Sequence, residues 1–241
     1  MTSMVLQILG LIDLTSLNDD DNEDTIIKLC NTAHTTYGNV AAICIYSRFI
    51  PIAKHRLHQS QLNIPIATVV NFPHGSSDIE LTLYEIQLAL ARGADEIDLV
   101  FPYHYFKNGN FKICHTLLSQ AKQMCGGKLL KVILETGELK TTELIAAASQ
   151  LSIECGADFI KTSTGKVVVN ATLTAAEVML NTIRASGGSC GFKASGGIRT
   201  VIEARQYIDL ATKIMGQNWV NPKTFRLGAS TLLNDVLIHL T

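Results

Sequence analysis

Charge of either sign is scarce in this chain. Only 17% of its 241 residues are charged, and 20 Lys+Arg against 21 Asp+Glu leave a formal net charge of −1. Nucleic acid or an anionic membrane as the main partner calls for a strong basic excess, so neither is expected. Long hydrophobic runs are missing too. The longest uninterrupted one, Val40 to Tyr46, has seven residues, against the roughly 20 that a membrane helix needs. The apolar N-terminal stretch MTSMVLQILGLIDLTSL has no basic start and no small-residue cleavage site, and it meets Asp13 early. No CxxC pair occurs among Cys30, Cys44, Cys114, Cys125, Cys155 and Cys190. With 47% hydrophobic residues to build a core, these are expected as reduced, buried thiols of a cytoplasmic protein. Neither GxGxxG nor GxxxxGK[ST] is present, so no nucleotide cofactor is expected. His55 and His58 stand three apart on a helix without a third ligand in reach, and His34, His74, His104, His115 and His239 show no ligand spacing. No metal site is expected.

What is present is alternation. No linker or charge block divides residues 1–241, and short β-rich runs fall at Leu11–Leu14, Val40–Tyr46, Pro65–Asn71, Glu96–Phe101, Leu129–Glu135, Asp158–Thr162, Gly191–Ala194 and Thr224–Gly228. Helical periodicity fills the gaps, as in Asp24–His34, Ser77–Arg92, Thr141–Cys155, Thr174–Ser186, Arg199–Met215 and Ala229–Leu240. Ser77-x-x-Glu80 reads as a capping box, and Gly93, Gly156 and Gly187-Gly188 read as helix stops. The gap before the second strand holds one helix and no spare strand. Repeated βα units imply parallel strands with crossover helices. Eight of them in this length match a single-domain (β/α)8 TIM barrel, which typically uses roughly 250 residues, better than an open doubly wound sheet.

An internal echo indicates where chemistry sits. Gly93-Ala94-Asp95-Glu96-Ile97-Asp98 resembles Gly156-Ala157-Asp158-Phe159-Ile160-Lys161, each running from a helix stop into a strand. Asp98 and Lys161 therefore occupy equivalent places, and strand alternation points both into the barrel. Two further lysines, Lys131 and Lys193, lie in apolar strands, with Asp13 as a second strand carboxylate. One such lysine reads as well as a strand-edge residue snorkelling to solvent. Three at matching depth point to a buried cluster, because an ammonium is buried at high cost unless it is paired or loses its proton. A lysine attacks a carbonyl only as the free base. Its reference pKa of about 10.4 must fall by roughly three for use near pH 7, a cost of about 4 kcal/mol. Desolvation and a second cation both push that way, and Lys161 beside Lys193 would supply both. Cys44 falls in the second strand as a core residue that can line the pocket.

Glycines give an independent signal. Lys193 is followed by Ser195-Gly196-Gly197 and Arg199, and the last strand runs into Gly228-Ala229-Ser230. Barrels often hold phosphate in the loops after strands 7 and 8, where backbone amides meet a helix N-terminus. Gly165-Lys166 after the sixth strand could add a third side. The same glycines could instead only shape turns; their joint placement favours phosphate.

The motifs AAICIY, ATVVNFPHG, GADEIDLVFP, LKVILETGELK, GADFIKTSTGK, GFKASGGIRT and FRLGAS together resemble deoxyribose-phosphate aldolases, Schiff-base enzymes on a (β/α)8 barrel, over nearly the whole chain. The resemblance implies that Lys161 forms the Schiff base and that Asp98 and Lys193 are its proton-relay pair. Lys131 and Asp13 would support that network. Phosphate would lie against Gly165, Lys166, Gly196, Gly197, Gly228 and Ser230, with Arg199 nearby. The implied reaction is reversible cleavage of 2-deoxy-D-ribose 5-phosphate to glyceraldehyde 3-phosphate and acetaldehyde, with no cofactor and no metal. The implied partner is a small phosphorylated sugar, and a homo-oligomer stays open. Some family members end in a tail whose tyrosine reaches the active site. The last residues here are His239-Leu240-Thr241, so a tail-assisted proton step is not expected. Two rival readings remain at this level, a Schiff-base aldolase of ketose phosphates and a non-catalytic barrel that binds a phosphosugar.

Overall fold

A computed structural model describes residues 2–241. Its eight parallel strands are β1 (Ile12–Thr15), β2 (Ala42–Ile45), β3 (Ile66–Val70), β4 (Glu96–Val100), β5 (Leu129–Ile133), β6 (Phe159–Lys161), β7 (Gly191–Ser195) and β8 (Phe225–Ala229). Each pairs with the next and β8 returns to β1, so the sheet closes on itself. Helices fill the crossovers between strands, giving the expected single-domain (β/α)8 TIM barrel. The strands are buried on both faces, which is why they read as continuous apolar runs.

Local chemistry accounts for the helices. In Thr142–Glu154 the Thr141 hydroxyl caps the Leu144 amide, and Ile145, Ala148, Ser149 and Ser152 form the buried face at helical spacing. The two buried serines return their hydroxyls to the carbonyls four residues back. Gly156, with φ +85°, turns the chain out of the helix into β6.

The structure corrects several sequence expectations. The helix after β3 spans Ile79–Ala91 and is capped by Asp78, whose carboxylate accepts from Leu81; Ser77 and Glu80 form no capping box. Asp78 stands one residue nearer the first turn and offers a stronger acceptor. The helix expected at Asp24–His34 is Glu23–Thr32, because His34–Thr35 pairs with Gly38–Asn39 in a small antiparallel hairpin. That gap therefore does hold extra strand. The run expected to Glu135 ends at Ile133, since Glu135 adopts φ +57°. A helix at Thr2–Leu9 precedes β1, burying Val5, Ile8 and Leu9. All six cysteines are free and buried. Among the described residues, no helix is long and apolar enough to cross a membrane.

The base of the barrel is plugged by Phe159, Glu96 and Arg226, whose guanidinium carbon sits 5.7 Å from the Phe159 ring centroid. Gly191 faces Phe159 across the β6–β7 register, and a Cβ there would come within 2.5 Å of the ring. Gly191→Ala is therefore expected to destabilise by about 1–3 kcal/mol through overpacking. Thermal unfolding should show a lower Tm; an unchanged Tm would refute the close approach.

Candidate active site

Above that plug the lumen holds an ion network contributed by the neighbouring strands β4 to β8 and β1. Asp98 on β4 is fully buried and accepts from three lysines. Lys131 on β5 donates to its Oδ1 at 2.6 Å, while Lys161 on β6 and Lys193 on β7 both reach its Oδ2, at 2.9 and 2.8 Å. Lys131 also contacts Glu96 at 2.6 Å, and Lys193 contacts Asp13 at 2.5 Å. Arg226 completes the set, with Asp13 at 2.6 Å and Glu96 at 3.0 Å. Lys161 and Lys193 face one another across the β6–β7 register, as do Asp98 and Lys131 across β4–β5. The three lysines are at most 2% exposed, so none of them snorkels.

Charge balance decides which lysine holds its proton least firmly. Three carboxylates (Asp13, Glu96, Asp98) face four cationic side chains (Lys131, Lys161, Lys193, Arg226), one too many for a dry interior. Lys131, Lys193 and Arg226 each touch two carboxylates within 3 Å. Lys161 touches only one oxygen and shares it with Lys193. Burial lowers the Lys161 amine below the usual lysine range; Asp98 pulls it back and the Lys193 ammonium pushes it down again. Burial also opposes the charge on Lys193, but Asp13 and Asp98 outweigh it and hold that ammonium above the ordinary range. The same balance keeps Lys131 charged through Asp98 and Glu96. For Asp98, burial is overcome by Lys131, Lys161 and Lys193, and its carboxyl stays well below the usual range. Asp13 is likewise held ionised, by Lys193 and Arg226 against burial. The result is an amine that gives up its proton more readily than its two neighbours, fixed between a carboxylate and an ammonium.

A cleft of about 310 Å³ opens beside this network at the C-terminal ends of β6, β7, β8 and β1. Gly165, Lys166, Gly196, Gly197, Arg199, Gly228 and Ser230, the residues picked out for phosphate, all line it. Gly165, Gly196 and Gly197 adopt φ between +86° and +87°, a region glycine enters freely. Among the described residues, the amides of Gly165, Gly196, Gly197 and Ser230 meet no protein acceptor. Lys166 Nζ donates to the Leu17 carbonyl at 2.7 Å, tying the loop after β6 to the loop after β1. Arg199 is exposed at the rim. One expectation changes. The N-terminus of the helix after β7 is already filled, because Glu203 accepts from Arg199 and Thr200 and Asp235 accepts from Val201. The amides left without a protein acceptor are therefore those of the glycine loops rather than those of that helix end.

Leu17, which lines the cleft, belongs to a small apolar cluster with Cys44, Ala67 and Val69, apart from the main core and flanked by Tyr46 and Phe72. Burial pushes the Cys44 thiol up, so it stays protonated and serves as packing in this cluster. Sequence reasoning missed Glu96 and Arg226 in the network, and Asn18, Thr164 and Asn170 in the cleft. Glu96 stands two residues before Asp98, and Arg226 interrupts the apolar run FRLGA, so period-two alternation could have found both.

The sequence profile of the DeoC/LacD family aldolases matches residues 7–237. Among solved structures, a Toxoplasma gondii ME49 protein superposes with a TM-score of 0.91 at 23% identity, over 98% of this chain and 95% of its own. A Coccidioides immitis protein gives 0.83 at 28% identity, over 97% and 87%. Both are provisionally assigned as deoxyribose-phosphate aldolases. A deoxyribose phosphate aldolase of Aeropyrum pernix, described as tetrameric, gives 0.77 at 23% identity, over 99% and 96%. The Toxoplasma and Aeropyrum likenesses bear on the fold alone. The profile spans nearly all of the chain and includes every strand of the lysine network, and on that match the chain belongs to the DeoC/LacD family of aldolases.

Proposed function

We propose that this aldolase works through a Schiff base on Lys161 and reversibly cleaves 2-deoxy-D-ribose 5-phosphate to D-glyceraldehyde 3-phosphate and acetaldehyde. The observation that carries the reading is the single shared carboxylate oxygen on Lys161, which leaves it the one amine of the cluster free to be neutral. Neutral Lys161 adds to the C1 aldehyde, and loss of water gives an iminium. That cation restores the excess positive charge the site cannot balance. Cleavage relieves it: the C3 hydroxyl loses its proton, C3 becomes the aldehyde of the departing triose phosphate, and the C2–C3 electrons flow to C2 as a neutral enamine. Protonation at C2 and hydrolysis of the imine release acetaldehyde and free Lys161.

Asp98 and Lys193 form the relay. Asp98 Oδ2 already bridges the two nitrogens and passes protons to substrate through water. Lys193 keeps Lys161 neutral in the free enzyme. When the iminium raises the local positive charge, a Lys193 proton is loosened and can be donated. Lys131 and Asp13 hold Asp98 and Lys193 in place. The phosphate sits against the free glycine amides, Lys166 and Ser230, with Arg199 at the rim. The chemistry runs on the iminium as its electron sink and calls on no cofactor or metal.

Borohydride reduction during turnover tests the reading. With 2-deoxyribose 5-phosphate, mass spectrometry of the digested protein should find a reduced adduct on the peptide bearing Lys161. A parallel panel of ketose phosphates, scored for released acetaldehyde, separates this substrate from the alternatives. An adduct on another lysine, or none, would refute the assignment.

A further inference from the structure

We infer that Glu135 is a positioning residue for the phosphate-binding loop after β6, acting through Thr164. The inference rests on the reading of the cleft as a phosphate site.

Glu135 is unusual in three respects. It is a fully buried carboxylate. It has φ +57° and ψ +61°, a left-handed conformation that is uncommon for a residue with a side chain. Among the described residues no lysine or arginine lies within ion-pair distance of it, although every other carboxylate of the barrel interior is paired. Burial accordingly pushes its carboxyl above the ordinary range. A buried acid that forms no ion pair needs another reason to be there.

Its partners supply one. Both carboxylate oxygens face Thr164, accepting the hydroxyl at 2.5 Å and the backbone amide at 3.2 Å. Thr164 Oγ1 in turn accepts the Lys166 amide at 3.0 Å. A single chain of hydrogen bonds therefore runs from Glu135 to the backbone on either side of Gly165, the residue whose free amide opens into the cleft. The same turn supports the far end of the loop. Gly137 packs so closely on Val169 that a Cβ would come within 2.0 Å of its carbonyl oxygen. The turn at 135–137 thus braces the loop at two points, while the loop's own tip is open to solvent, with Val168 99% exposed. Without the brace, ordering the Gly165 amide and Lys166 around an anion costs conformational entropy at the moment of binding.

The test measures anion affinity separately from aldol chemistry. Inorganic phosphate is titrated by calorimetry into the wild-type protein, Glu135→Ala and Glu135→Gln. The alanine variant is expected to raise the phosphate Kd about tenfold, equivalent to about 1.4 kcal/mol. Gln keeps an oxygen for the Thr164 hydroxyl and should recover most of that loss. In parallel, the ratio of kcat/KM for 2-deoxyribose 5-phosphate over unphosphorylated 2-deoxyribose should fall about tenfold in Glu135→Ala, a change that general loosening of the fold would not produce. An unchanged phosphate Kd, or an equal loss on both sugars, overturns the inference. Should Glu135→Ala fail to fold, Thr164→Val removes the same link and must show the same weakening. If no deoxyribose phosphate is cleaved at all, the functional reading fails, and phosphate affinity still decides the role of Glu135.

Discussion

Replacing Lys161 with alanine is expected to lower turnover by about 10⁴-fold or more, the scale on which loss of an essential nucleophile acts. The barrel should stay folded. Lys161 is the surplus amine of the network, so its removal leaves Asp13, Glu96 and Asp98 matched by Lys131, Lys193 and Arg226. Asp98 keeps hydrogen bonds from the other two lysines. Circular dichroism and thermal unfolding should therefore report a native protein while acetaldehyde release disappears and no borohydride adduct forms. Wild-type activity in that variant would remove Lys161 from the mechanism.

The second large effect comes from a residue that forms no bond to substrate carbon in this mechanism. Lys193→Met removes the ammonium that faces Lys161 and leaves the carboxylates of Asp13 and Asp98 short of one cation. The network then holds three carboxylates and three cationic side chains, so Lys161 becomes the cation that balances it. In the wild type, burial and Lys193 depress the Lys161 pKa against Asp98. Its reactive form is populated above that depressed value and lost as the pH falls through it. Without Lys193 the value rises, so the acid limb of kcat/KM moves to higher pH. Each unit of that movement costs tenfold at a fixed pH on the limb. A loss of about 10²-fold at pH 7, partly recovered as the pH is raised, is the expected profile. Removing one partner of a buried pair typically costs about 3–5 kcal/mol, and protonated Lys161 offsets part of that here. A pH–rate profile measured beside the wild type checks this. A loss that is the same at every pH would mean that Lys193 acts only as a proton donor.

Much of this was legible in the linear chain. Helix stops at Gly93 and Gly156 set the phase of the two strands that follow, and strand alternation then fixes Asp98 and Lys161 at one depth on one face. The glycines of the three βα loops likewise signalled where an anion could approach. Other features resisted. The hairpin at His34–Thr35 and Gly38–Asn39 is too short to leave a periodic pattern. Asp78 and Ser77 are both good caps, and backbone geometry chose between them. Glu135 looks like the end of a β-strand until its backbone turns left-handed.

Sequence by itself determined the fold class, the inward set of strand side chains and the loops that gather at one rim, because all three follow from local periodicity and chain order. Only the tertiary structure decided which of three similar lysines would hold its proton least firmly. That choice depends on how many carboxylate oxygens lie within about 3 Å of each nitrogen, and those neighbours come from strands as far apart in sequence as Asp13 and Lys193. Electrostatic energy in a dry interior falls off with distance in space, to which position along the chain is no guide.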